Sequence, residues 1–243
     1  MEESRLPLQK WVFAIYLEVT SLKGISSMKL HRELDITQKS AWFMLHRIRE
    51  VWKTGREESM KGIVEADETY MGGRERNKHS KKKLRAGRGP VGKSVVVGVK
   101  DRDTNEVRAE VVDRPDAKTL QGFVERHTDE GATVFTDEAR AYVGMKRDHE
   151  SVKHSAGEYV RGIVHTQGMK SFWAILKRAH KGVYHKMSRK HMHRYLASSR
   201  ASTTSEISTR WIRWRSSRRG WSESASCIGN WFPMPNLERG KKL

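Results

Sequence analysis

The sequence predicts a mixed α/β protein: one sheet with flanking helices, preceded by a small all-helical segment of helix-turn-helix type. Three observations predict it. Apolar residues recur at helical spacing as far as Trp52, then switch to short strand-like runs from Gly62 onward. Those runs are interleaved with amphipathic helical stretches, the order of a mixed sheet with covering helices. The chain has 243 residues, which suits one mid-sized domain with an attachment, or two small ones, and is enough to bury a core. The expected division is a helical segment over 1–56, a sheet domain over 57–196 and an atypical tail over 197–243.

Leu6 to Val19 (LPLQKWVFAIYLEV) reads as the first helix. Pro7 suits its first turn, and Trp11, Ala14, Ile15 and Val19 share one face. Ser26 can cap a short helix, SSMKLHREL, and Asp35-Ile36-Thr37 is a tight turn. A longer helix follows, with Ala41, Leu45, Ile48 and Trp52 on one face and His46, Arg47 and Arg49 on or near the other. Helix, short helix, turn, basic helix is the outline of a DNA-reading helix-turn-helix; a plain helical bundle has the same outline. GIVEAD is then a strand ending in Asp67-Glu68, and SVVVGV with EVRAEVV forms a hairpin across Asp101–Asn105. Asp116 caps a helix, AKTLQGFVERH; ATVFTD is the next strand, and a short strand SVKH is expected after Glu150. The last helix starts near Gln167 and carries Phe172, Ile175 and Leu176.

Composition narrows the function classes. Lys and Arg number 48 against 29 Asp and Glu, a formal charge of +19, which points to a polyanionic partner, most simply nucleic acid; a basic ribosomal or solubility-tuned protein is the bland alternative. No apolar run approaches the ~18 residues that span a bilayer, so no membrane role is expected. One Cys excludes a disulfide scaffold and a Cys-rich zinc site. The N-terminus carries no apolar signal segment, so the expected location is cytoplasmic. The charge falls in blocks. Arg74–Lys93 holds nine Lys/Arg against one acid, and Arg161–Arg194 holds nine Lys/Arg, five His and no acid. In the first block, Lys81, Lys82, Lys83, Arg85 and Arg88 are expected to track a phosphate backbone, although a solvated loop has the same composition.

Two strands end alike, Val64-Glu65-Ala66-Asp67-Glu68 and Val134-Phe135-Thr136-Asp137-Glu138. If they lie side by side, Asp67 and Asp137 meet at one sheet edge. Two close carboxylates repel, and an oxygen-preferring divalent cation relieves the repulsion. Such a site can hydrolyse or transesterify a phosphodiester. Strand-end Asp residues also cap turns, and that reading stays open here. The tract from His165 to His193 is aromatic and basic; His191 and His193 are two apart, which on a helix points them in different directions, so phosphate contact, with core packing by Phe172 and Trp173, suits it better than metal ligation.

VEADETYMGGRERNKH, VFTDEARAY and HSAGEYVRGIVHTQGMKSFWAILKRAHKGVYHKMSRKHMHRYL together resemble the DDE transposases of bacterial insertion sequences, in the ISXO2-like group. The resemblance runs from about Leu6 to Leu196, and the upstream helices look like that family's DNA-binding region. It implies a ribonuclease-H-like core that cuts and joins double-stranded DNA at element ends with Mg²⁺ or Mn²⁺, with self-association on the DNA and a place at the bacterial nucleoid. By position Asp67 and Asp137 match the first two catalytic residues and would hold the metal. Lys177 matches a basic residue beyond the third. Arg178, Lys181, His185 and His191 fall in the same block and would touch DNA. Around the third position the family reads Asn-Gly-Ile-Glu before Ser-Phe-Trp, whereas this chain reads Gln167-Gly168-Met169-Lys170. Gln167 is therefore the candidate third residue, with Glu158 or His165 as substitutes. An ammonium at Lys170 cannot ligate a metal, so a copy that binds DNA without cutting it is the alternative.

Relatives often begin with a Cys-rich zinc ribbon, and this chain starts about where that module would end. From Ala197 the text is rich in Ser, Arg and Trp without helix or strand period. ASSRASTTSEISTRWIRW can be encoded so that a one-nucleotide shift reads EFAGQHNIRDLDTLDQM, an ordinary amphipathic ending. A frameshift close to Leu196 is the expectation; a tail that binds nucleic acid through Trp and Arg is the alternative.

Overall fold

A computed structural model describes residues 4–52, 58–73, 75–84, 90–137, 140–152 and 164–203. The contacts divide the chain after Ser205, and every described residue lies in the first unit.

Three helices come first: α1 (Leu8–Thr20), α2 (Ser27–Leu34) and α3 (Gln38–Val51). The Ser26 hydroxyl accepts the Lys29 N–H and caps α2 as expected. Asp35 ends that helix in the left-handed region at φ 46°, and Thr37 caps α3 by accepting the Ser40 N–H. The helix-turn-helix outline is thus held by its own caps. Leu30, Ala41, Met44, Leu45 and Ile48 close its core against Trp11 and Ala14.

The sheet has five strands in the order β3-β2-β1-β4-β5: β1 (Ile63–Met71), β2 (Ser94–Asp101), β3 (Val107–Val112), β4 (Thr133–Asp137) and β5 (Asp148–Val152). β1, β2 and β3 pair antiparallel, and β4 and β5 run parallel to β1. This is the mixed sheet with flanking helices that the sequence predicts. Strand alternation sends Val64, Ala66, Val95, Val97 and Val99 to one face, under Leu120, Phe123 and Val124 of α4 (Ala117–His127). The other face takes Met169, Phe172, Trp173 and Leu176 of α5 (Gln167–Ala179) and Met192, Tyr195 and Leu196 of α6 (Met192–Thr203).

Three expectations shift. β5 is Asp148–Val152, which begins three residues before SVKH and shares Ser151 and Val152 with it, in the register set by pairing with β4. His46 and Arg49 do not lie on an open face of α3: each is 2% exposed. His46 packs on Tyr195, and Arg49 pairs with Glu18. α6 runs to Thr203, seven residues past the expected boundary at Leu196, and buries Ala197, Ser198 and Ser199. Their small side chains allow close packing, and the Ser198 hydroxyl donates to Glu18 at 2.6 Å. The helical segment and the sheet are therefore joined through α6. The rest of the tail, residues 204–243, lies outside the described residues.

Candidate active site

β1 and β4 place the two matched acids side by side. Ile63 stands opposite Thr133 and Glu65 opposite Phe135, so the same register two residues on brings Asp67 level with Asp137. Among the described residues the β1–β4 pairs end at Glu65 and Phe135, whereas β1 continues to Met71. The third acid there is Glu68. Carboxylate oxygens of Asp67, Glu68 and Asp137 lie within 4.8 Å of one another.

Each acid is fixed differently. Asp67 is 6% exposed; its Oδ1 accepts the Glu68 N–H at 2.9 Å and its Oδ2 accepts the Trp173 indole N–H at 3.1 Å. Glu68 accepts the Tyr142 hydroxyl at 2.9 Å. Asp137 Oδ1 is buried with no hydrogen-bond partner among the described residues. Burial, then the Asp137 and Glu68 charges, push the Asp67 carboxyl up to about 7. The Glu68 N–H and the Lys170 ammonium oppose that rise. Burial also raises Glu68, partly offset by the Tyr142 hydroxyl, and burial raises Tyr142 itself. Three converging acids, one with an unanswered buried oxygen, suit a hard divalent cation. The donor set fits Mg²⁺ or Mn²⁺.

Gln167 is exposed at the first turn of α5, and the side chain of that turn whose charge is felt at Asp67 is Lys170. Lys177 is exposed four residues beyond Trp173, hence on the same stripe of α5. His165 is not in the acidic group. Its Nδ1 lies 2.8 Å from the Arg102 guanidinium, and Arg102 also donates to the His165 carbonyl at 2.7 Å. Glu158 lies outside the described residues.

Among the expected DNA contacts, Lys81, Lys82 and Lys83 are exposed at a short turn, Ser80–Lys82. That turn is tied down by Glu75, which pairs with Lys78 at 2.6 Å and accepts the Leu84 N–H. Arg85 and Arg88 fall outside the described residues. Arg178, Lys181 and His185 are exposed around the end of α5. His191 instead packs against the rings of His46 and Trp42, with centroids 4.9 and 5.5 Å away.

Sequence reasoning missed three participants. Glu68 was half of a noticed Asp-Glu pair. Trp173 was read as core only. Gly98, directly opposite Asp67, was passed over; a glycine inside SVVVGV signals a close approach, and a Cβ there would lie 2.9 Å from the Trp173 ring.

Comparison with known proteins gives the family. The ISXO2-like transposase domain matches residues 59–199. A protein of Halobacterium salinarum, described as an uncharacterized protein in transposable element ISH50, is 29% identical over 197 residues. The match covers 75% of this chain and 66% of that protein, so the chain spans about two thirds of its relative's length. A chain of the simian T-cell lymphotropic virus intasome in complex with PP2A regulatory subunit B56 gamma overlaps loosely: TM-score 0.38, 12% identity, 79% of this chain and 65% of that one. With the family's domain matching more than half its length, the chain belongs to the ISXO2-like transposases of insertion elements.

Proposed function

We propose that this protein cuts double-stranded DNA at the ends of an insertion element and joins them to a target, using a divalent cation. The observation that carries the reading is the convergence of Asp67, Glu68 and Asp137 within 4.8 Å at a sheet edge, with one buried carboxylate oxygen unanswered. Asp67, Asp137 and Glu68 would hold Mg²⁺ or Mn²⁺, and the ion would supply Lewis acidity toward a phosphodiester. Lys81–Lys83 and the Arg178, Lys181 and His185 group supply cations for the DNA backbone. Lys177 extends the same charge along α5. Synapsis of two element ends requires at least two copies of the chain acting together.

Strand transfer with a labelled element end and a plasmid target, in Mg²⁺ or Mn²⁺, tests this. Asp67→Asn and Asp137→Asn should each lower joined product by at least about 10³-fold, while duplex binding survives. Product that persists in Asp67→Asn would sink the assignment. If wild type binds DNA but yields no product, and Lys170→Glu yields it, this copy is a DNA-binding remnant.

A further inference from the structure

The side chains of α5 that face the sheet do more than fill its core. On β1, alternation places Glu65 and Asp67 on the same face, the one α5 covers. Glu65 is 2% exposed, yet both its oxygens are answered. Oε1 accepts the Arg102 Nε–H at 2.8 Å, and Oε2 accepts the Met169 N–H at 2.9 Å. Thr166, the N-cap position of α5, makes no side-chain cap. Glu65 thus performs the capping from the strand, and its negative charge suits a helix N-terminus. The Arg102 guanidinium is backed by the Phe135 ring, 4.8 Å from its centroid, so the clamp is rigid.

One turn further along α5, Trp173 lies against Gly98, where any side chain would collide with it. Its indole N–H ends on Asp67 Oδ2 at 3.1 Å. A carboxylate rotates about its Cβ–Cγ bond, and its lone pairs are useful to a cation only in one setting. The Glu68 N–H on Oδ1 and the Trp173 N–H on Oδ2 hold the plane from both sides. Each oxygen keeps a lone pair for a cation.

We infer that Trp173 is a positioning residue: held over Gly98 by the Glu65 cap on α5, its indole N–H orients the Asp67 carboxylate for cation binding. The inference rests on the proposed cation site and assigns a part of it that the acids alone do not supply. It also gives the strand-borne Glu65 a purpose, since a buried carboxylate is costly unless it fixes something.

The test is Mn²⁺ binding to the full chain, with the indole N–H resonances of the ¹⁵N-labelled protein followed during Mg²⁺ addition. In wild type, the resonance absent from the Trp173→Phe spectrum should shift as the site fills. Trp173→Phe keeps an aromatic ring over Gly98 and loses the donor, so Mn²⁺ should bind about tenfold more weakly, with the far-ultraviolet dichroism of the wild-type fold retained. Gly98→Ala keeps every polar group and puts a Cβ 2.6 Å from Met169 Cε and 2.9 Å from the Trp173 ring, so it crowds the ring and should weaken binding in the same direction. An unmoved Trp173 resonance at saturating Mg²⁺, or wild-type Mn²⁺ affinity in both variants, overturns the inference and leaves the cation site standing. A wild-type chain with no Mn²⁺ binding dependent on Asp67 overturns the site itself and the inference with it.

Discussion

Asp67 shows how one residue carries opposite demands of stability and function. Burial and two neighbouring acids raise its carboxyl to about 7 from a usual value of 3.8. Its contribution to stability is therefore complete below about pH 4 and is lost as pH rises through 7. Without divalent cation at pH 8, Asp67→Asn should stabilise the protein, by about 2 kcal/mol, and by less at pH 5. His46 and His127, held down to about 4 by burial, titrate in the opposite sense over the same window, so the wild-type profile alone does not isolate Asp67. The difference in thermal stability between wild type and variant does. Adding Mg²⁺ at pH 8 should raise the wild-type melting temperature and leave Asp67→Asn unmoved. A variant less stable than wild type under metal-free alkaline conditions would contradict this account. Asp67 and Asp137 were legible because the two strand endings repeat within one sequence. The hydrogen bonds to Asp67 and Glu68 were harder to read, because Trp173 and Tyr142 reach them from 106 and 74 residues away.

At the scale of elements, the least legible contact is the one that joins α1, α3 and α6. Trp11, Ala14 and Glu18 are the buried residues of α1, so an acid occupies a core-facing position of an otherwise apolar stripe. Glu18 accepts the Arg49 Nε–H at 2.9 Å and the Ser198 hydroxyl at 2.6 Å, and Arg49 also donates to the Ile25 carbonyl at 3.1 Å. The Tyr184 and Tyr195 rings lie 4.9 and 4.7 Å from that guanidinium. Both charged side chains are 2% exposed, so each is affordable only with the other in place. Glu18→Ala should cost about 3–5 kcal/mol in urea unfolding, leaving a buried guanidinium uncompensated. Glu18→Met with Arg49→Met should recover most of that loss, which a double-mutant cycle measures. Equal losses in the single and double variants would mean that packing, and not charge pairing, holds the junction. Helical periodicity named the apolar face of α3 correctly and then assigned His46 and Arg49 to the other face by their polarity. Periodicity assigns a face by angle, and polarity does not reveal a partner 31 residues away.

At the scale of the molecule, the helical segment and the sheet behave as one body if that junction holds. α3 also meets α6 through Arg194, which donates to Glu50 at 2.5 Å, and Arg200 donates to the Trp52 carbonyl at 3.0 Å. The sheet was legible from strand runs and turns because its pairs β1–β2 and β2–β3 are close in sequence. The docking of the two segments was not, since its residues are 144 to 180 apart and polar. This makes the end of α6 a structural boundary rather than a compositional one. A chain ended after Ser205 retains every described contact and is the reference for a shorter one. A chain ended after Leu196 loses the Ser198 hydrogen bond to buried Glu18, the Arg200 contact and three buried small residues. Losing those polar partners alone should cost on the order of 2–3 kcal/mol. The loss should appear together in tryptophan fluorescence, to which Trp11, Trp42 and Trp52 of the helical segment contribute beside Trp173 against the sheet, and in the far-ultraviolet dichroism of the whole fold. Separate transitions in the chain ended after Ser205 would show that α1–α3 and the sheet unfold independently. Equal stability of the two truncated chains would show that residues 197–203 cover the junction without supporting it.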